Sequence, residues 1–181
     1  MRAWKIFDTG KGTGETTLAA SMWHGVPDNS VLLFDRGFID TARMHQLTTV
    51  GESRHFVTRE AKTLTRHCVK PLGEHDTLID VQMSEAAQRA DAETPSTLRL
   101  RRIEHQIGEH EPSALFTSLL CPESYPAEDV VELYHERWDI ELAGRDIKQT
   151  QVQRLESLRS RTPEAVEQEI WALLTTYQLV C

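Results

Sequence analysis

The apolar positions of this chain change their spacing twice, and the changes divide it into three stretches. In the first, short apolar runs alternate with helix-like segments. Residues 3 to 7 read as a strand and Thr13 to His24 as a helix that stops before the turn-forming Gly25-Val26-Pro27-Asp28-Asn29. Ser30 to Asp35 follows with four consecutive apolar residues, Val31 to Phe34, the pattern of a strand buried on both faces at the centre of a sheet. Asp35 then stands at the carboxyl end of that strand, where open α/β sheets form the crevice that holds their chemistry. Ile39 to Val50 reads as a helix, with Asp40 as its cap, and Arg54 to Thr58 as the next strand. The order strand, helix, strand, helix, strand predicts an α/β fold with parallel neighbours.

From about residue 62 to 120 the runs shorten. Thr77 to Met83, Thr97 to Ile103 and Ala114 to Leu120 read as strands between polar stretches bearing Pro or Gly, which together predict an antiparallel β-rich insertion. The third stretch is helical. One helix runs from Pro126, suited to a first helical position, to about Lys148, with Glu128 and Asp129 placed to complement its dipole. A second runs from Pro163 to about Leu179 behind Thr162 as N-cap.

At about 100° per residue, Tyr134, Arg137, Glu141, Arg145 and Lys148 share one stripe of the first of these helices. Val131, Trp138 and Leu142 flank it on one side, and Leu133, Ile140 and Ile147 on the other. A surface helix normally needs one apolar stripe and one polar face, so a polar stripe between two apolar ones has two readings. It is either an i, i+4 ladder of Arg137, Glu141 and Arg145, or a set of charges facing a cleft that holds a metal or an anion.

A length of 181 residues fits one domain, with 39% hydrophobic and 27% charged residues in the range of folded soluble proteins. The formal net charge of -8 argues against a protein that coats nucleic acid without specificity, since phosphate binding draws on concentrated Lys and Arg. A DNA role therefore needs a local patch. Two basic clusters are candidates: Arg99, Arg101 and Arg102, and Lys148, Arg154, Arg159 and Arg161. The longest apolar runs are too short to cross a membrane, and the N-terminus lacks the features of a secretion signal, so the expected location is the cytoplasm. Cys68, Cys121 and Cys181 have no metal-ligand spacing and read as reduced structural thiols. Gly10 to Thr17 departs from the phosphate-loop pattern, with Glu15 and Thr16 where Gly and Lys are needed, and no nucleotide cofactor is expected. His105, His110 and His67 lack zinc spacing, and the four tryptophans, Trp138 and Trp171 among them, read as core residues.

The segment Leu133 to Lys148 contains Tyr134, Arg137, Glu141 and Lys148 at gaps that resemble the Y-R-E-K signature of the insertion sequence 4 family of DDE transposases. Leu33-Phe34-Asp35-Arg36-Gly37-Phe38 is similar to the family's second-aspartate strand, and Leu158 to Glu164 with Gln168 to Leu174 to the segment beyond the signature. The resemblance covers essentially the whole chain. It implies an RNase H-like fold in which residues 62 to 120 are the insertion between the second and third acidic residues. Asp35 and Glu141 would be those two members of the Asp-Asp-Glu triad, ligands of two magnesium or manganese ions. Tyr134, Arg137 and Lys148 would contact transposon-end DNA, and the activity implied is DNA cleavage and strand transfer. Hard carboxylate oxygens suit such ions, and two-metal sites act on phosphodiesters by stabilising both attacking and leaving oxygens.

The pattern departs from the family at the front. Only 34 residues precede Asp35, and they supply one strand and one helix, so the sequence reads as an N-terminally truncated transposase without the first aspartate. Asp8 follows a strand, but at the place of the fold's third strand rather than its first, and reads as a loop or capping residue. The corresponding expectation is a chain inactive by itself. The alternative is a non-catalytic DNA-binding or dimerising module that regulates an intact transposase, with a homodimer favoured by an exposed sheet edge.

Overall fold

The structure is a computed structural model that describes residues 22–90, 93–106, 111–138, 142 and 160–180. The chain divides into two units, residues 19–135 and residues 1–18 with 136–181. The strand expected at 3 to 7, most of the helix expected from Thr13, and Asp8 lie outside the described residues.

In the larger unit the apolar run after the Pro27 turn forms β1 (Ser30–Phe34), and β2 (Arg54–Arg59) lies parallel to it, Phe34 opposite Thr58. The crossover between them is α1 (Thr41–Thr49). Asp40 caps α1 as expected: its carboxylate accepts from the Ala42 amide at 3.0 Å and pairs with Arg43 at 3.3 Å. Asp40→Ala is expected to cost about 1 kcal/mol, with Asp40→Asn retaining most of the stability. Urea unfolding of the two variants beside wild type checks this, and equal losses in both would show that the cap hydrogen bond is not the cause. The turn into β2 requires glycine at residue 51, where φ is +92° and a Cβ would stand 2.4 Å from the Arg54 Nε.

The remaining strands are β3 (Arg66–Gly73), β4 (Asp76–Gln82), β5 (Thr97–His105) and β6 (Ser113–Thr117), all antiparallel to their neighbours. Together with β1 and β2 they form one six-stranded sheet of order β1-β2-β6-β5-β4-β3, joined where β6 pairs antiparallel with β2. The strands expected between residues 62 and 120 are present. They continue the same sheet that carries β1.

Alternation along the strands sorts side chains to two faces. Phe34, Phe56 and Phe116 point to one face with Ile79, Val81 and Leu100, and Met44 and Leu47 of α1 close over it. Leu33, Val57, Leu115 and Ile103 point to the other, where Val130 and Tyr134 of α3 (Ala127–His135) cover them. A short helix, α2 (Glu85–Ala90), lies between β4 and β5, with Ser84 Oγ accepting from the Ala87 amide at 3.2 Å.

One expectation is corrected here: β1 is not buried on both faces, since Val31 is 37% exposed. Among the described strands it pairs with β2 alone. A run of four apolar residues is also what a partly covered strand needs when α1 takes alternate residues on one face and α3 those on the other. β3, inside the stretch expected to be β-rich, and α2 were not among the expected elements. β3 is at the other end of the described sheet, mostly exposed, with Lys70, Pro71 and two register shifts, the features that keep an edge from pairing with another chain. Its hairpin turn is Glu74-His75, His75 having a positive φ of 64°.

In the smaller unit, Arg137, Trp138 and Leu142 are helical, and α4 (Pro163–Val180) follows the expected start. Thr162 caps it, Oγ1 accepting from the Ala165 amide at 3.4 Å, and Glu169 accepts from the Ser160 amide at 2.9 Å. No helix among the described residues is long and apolar enough to cross a membrane.

Candidate active site

The site is built outward from Asp35. A parallel pair of strands brings its carboxyl ends to one end of the sheet, and Asp35 is the first residue beyond β1 at that end. The backbone is extended at Asp35 (φ -81°, ψ 159°) and then turns into one 3-10 turn, Arg36–Phe38. Asp35 caps that turn with its own side chain. Its Oδ1 accepts from the Arg36 amide at 2.7 Å, and its carbonyl accepts from Phe38 at 3.0 Å. One carboxylate oxygen is thus fixed by local backbone, and the group as a whole is half-buried at a strand end.

Tyr134 reaches the same end from the other side of the sheet. Val130 and Tyr134, one helical turn apart, are 2% and 4% exposed and form the face by which α3 seats on β2 and β5. The phenol hydroxyl donates to the Phe34 carbonyl at 3.5 Å. The helical stripe expected to be polar therefore begins as a core contact, because Val130 extends it one turn earlier than the charged members suggested. Tyr134, for which the resemblance implied a DNA contact, is 4% exposed with its hydroxyl toward the Phe34 carbonyl.

The remaining signature residues fall in the smaller unit. Arg137 is described, its guanidinium 5.8 Å from the centre of the Trp138 ring. Glu141 and Lys148 lie outside the described residues, as do Arg154 and Arg159, while Arg161 is exposed. Trp138 and Trp171 are exposed, which corrects their expected place in the core: Trp138 carries a cation on its face instead.

The arginines of the first basic cluster are paired with carboxylates of the larger unit. Arg99 forks onto Asp80 with Nε–Oδ1 2.9 Å and Nη2–Oδ2 3.0 Å, across directly paired positions of β4 and β5. Arg101 is fully buried and holds Asp76 through Nε at 2.9 Å and Nη2 at 2.6 Å, with Nη1 donating to the Tyr125 carbonyl at 2.5 Å. Arg102 binds Glu60 at 3.1 and 2.9 Å and also pairs with Glu104. The charge-assisted bonds show in the acidities. The Arg99 hydrogen bond holds the Asp80 carboxyl below its usual value, the Arg102 hydrogen bond does the same for Glu104, and Glu60 raises Arg102. All three arginines are committed within the fold. Sequence alone hid this because the sheet, rather than spacing along the chain, brings the partners together: Asp80 directly opposite Arg99, Asp76 diagonal to Arg101, and Glu60 from just beyond β2.

Asp35 suits a hard divalent cation: it offers a carboxylate oxygen at an open strand end, with the other oxygen held in place. Among the described residues no group of three or more His, Cys, Asp or Glu side chains is gathered to hold a metal ion. The described part of the site therefore supplies one ligand.

Cys68 and Cys121 are exposed free thiols, Cys121 donating to Glu123 at 3.1 Å.

Comparison with known proteins gives a consistent result. The family model described as "Transposase DDE domain" matches residues 4–179. The chain is 31% identical over 168 residues to "Transposase InsG for insertion sequence element IS4" from Escherichia coli (strain K12), an alignment that covers 92% of this chain and 37% of that relative. The chain thus spans little more than a third of the relative's length.

Proposed function

The chain belongs to the insertion sequence 4 family of DDE transposases, and on that premise we propose that Asp35 and Glu141 are two of the three carboxylates of an RNase H-like site for DNA cleavage and strand transfer. The observation that supports this best is the position of Asp35, at the carboxyl end of a strand with a parallel neighbour, its carboxylate oriented by the turn it caps. The domain on this reading is residues 1 to 181, with residues 62 to 120 as the β-rich insertion between the two carboxylates.

Asp35 and Glu141 would hold two magnesium or manganese ions, whose chemistry is to activate a water or 3′-hydroxyl and to stabilise the leaving oxygen of a phosphodiester. The chain's own work is positional. Asp35 presents a fixed oxygen, because the Arg36 amide occupies Oδ1. Arg137 and Lys148 supply cations for DNA phosphates, the contact that sets register on a duplex without reading bases. Transposon-end DNA is the proposed partner, with a homodimer as the assembly.

The test is manganese calorimetry together with nicking of supercoiled DNA, for wild type, Asp35→Ala and Glu141→Ala. Wild type is expected to bind manganese and each substitution to abolish binding. Binding or nicking that survives both substitutions in folded protein would reject the assignment, and a folded wild type with neither would leave a DNA-binding or dimerising module.

A further inference from the structure

Two imidazoles meet where the end of α3 rests on the sheet. His105, the last residue of β5, and His135, the last of α3, lie edge to face with ring centroids 6.3 Å apart and planes at 87°. His105 is on the face that α3 covers, two residues on from the buried Ile103. Its Nε2 is hydrogen-bonded to the hydroxyl of Ser113, the residue directly opposite on β6, at 2.9 Å. The other nitrogen, Nδ1, and the Nε2 of His135 are shielded from solvent and have no hydrogen-bond partner. A neutral imidazole can leave one nitrogen unpaired. A protonated one carries two N–H donors and a charge, which is costly where water is shut out.

The surroundings of His105 are those of a ring kept neutral. Burial first, then the positive charge that His135 can carry, hold its pKa below the ordinary imidazole value; the Arg59 guanidinium of β2 adds to this, and the Ile103 carbonyl works the other way. On β5 itself Glu104 points to the opposite face, where it pairs with Arg102. The α3 carboxylates Glu128, Asp129 and Glu132 are exposed, and among the described residues no carboxylate pairs with either ring.

We propose that His105 and His135 form a proton-sensitive latch for α3: as neutral rings they close the end of the helix onto β5, and a proton taken up by His105 unseats it. The chain continues from His135 to Arg137 and Glu141, so the latch secures the end of α3 from which the remaining signature residues follow. It needs neither metal nor DNA, and stands or falls apart from the roles proposed for Asp35 and Glu141. The folded state takes up this proton less readily than the unfolded chain. The stability that depends on the neutral ring is therefore whole above the ordinary imidazole value, declines as the pH falls below it, and is gone once the pH passes the lower value of the folded protein.

The test is amide exchange of Val130 and Tyr134 in α3, taken relative to Ile79 of β4 so that the direct effect of acid on exchange cancels. It is followed from about pH 8 to about pH 5, where imidazole gains its proton. In wild type the ratio is expected to rise on acidification, and in His105→Gln to stay level. A level ratio in wild type, or an equal rise in His105→Gln, overturns the proposal. If the variant does not fold, the ring-proton resonance of wild-type His105 decides. A titration displaced below that of a histidine peptide, with the Val130 and Tyr134 amide resonances moving in step, supports the latch; a titration like the peptide's, or one that leaves α3 unmoved, overturns it.

Discussion

Arg101→Met is expected to destabilise the larger unit by about 3–5 kcal/mol, the cost of leaving one member of a buried ion pair without the other. Arg101 is 0% exposed along its side chain and Asp76 7%. Removing the guanidinium leaves a carboxylate enclosed by protein and deprives the Tyr125 and Leu119 carbonyls of a donor. Asp76→Leu should cost a similar amount, because the guanidinium is then the stranded charge. The double variant is expected to lose much less than the sum of the two, since an apolar pair can replace a buried ion pair at small net cost. Urea denaturation of the four proteins measures the cycle. A loss near 1 kcal/mol for either single variant would mean that water reaches the pair.

Phe56→Ala is expected to cost about 3–5 kcal/mol, while Phe56→Leu should cost under about 1.5 kcal/mol. The ring is fully buried, 5.7 Å from that of Phe34. The backbone behind it cannot move in to fill a void: the Phe56 amide donates to Ser118 Oγ at 3.1 Å and its carbonyl accepts from Thr117 Oγ1 at 2.6 Å. A site held at both backbone atoms collapses little, which puts the alanine variant at the upper end of its range. Unfolding free energies of the two variants decide the matter, and a similar small loss in both would show that neighbouring side chains relax into the space.

What sequence could foresee followed the range of the interaction. The caps of α1 and α4 at Asp40 and Thr162 were legible because a side chain and the amide it accepts from sit two or three residues apart. Asp35 was legible as a strand end for the same reason: the apolar run stops and the chain turns at once. β3 was not, since its exposed polar residues carry no alternation, and only its partner β4 makes it a strand. The pairing of Arg99, Arg101 and Arg102 was hidden because their carboxylates arrive through sheet register. The Tyr134 to Phe34 hydrogen bond joins positions 100 residues apart, and helical periodicity has no term for the strand end it reaches. The same limit applies to β1, whose apolar run does not foretell that Val31 stays 37% exposed.

The junction of β2 with β6 has a consequence for the order in which the fold is assembled. β3, β4, β5 and β6 follow one another through the chain as an antiparallel meander, so they zip together by short loop closures. The seam between β2 and β6 joins groups 61 to 63 residues apart, through Thr117 to Phe56 and Ser118 to Phe56 and His55. Non-local pairing of this kind spends chain entropy before any contact repays it and is the slow step of sheet formation. Among the described strands β1 pairs with β2 alone, so the β1–β2 pair that ends beside Asp35 joins the other four strands only when that long loop has closed.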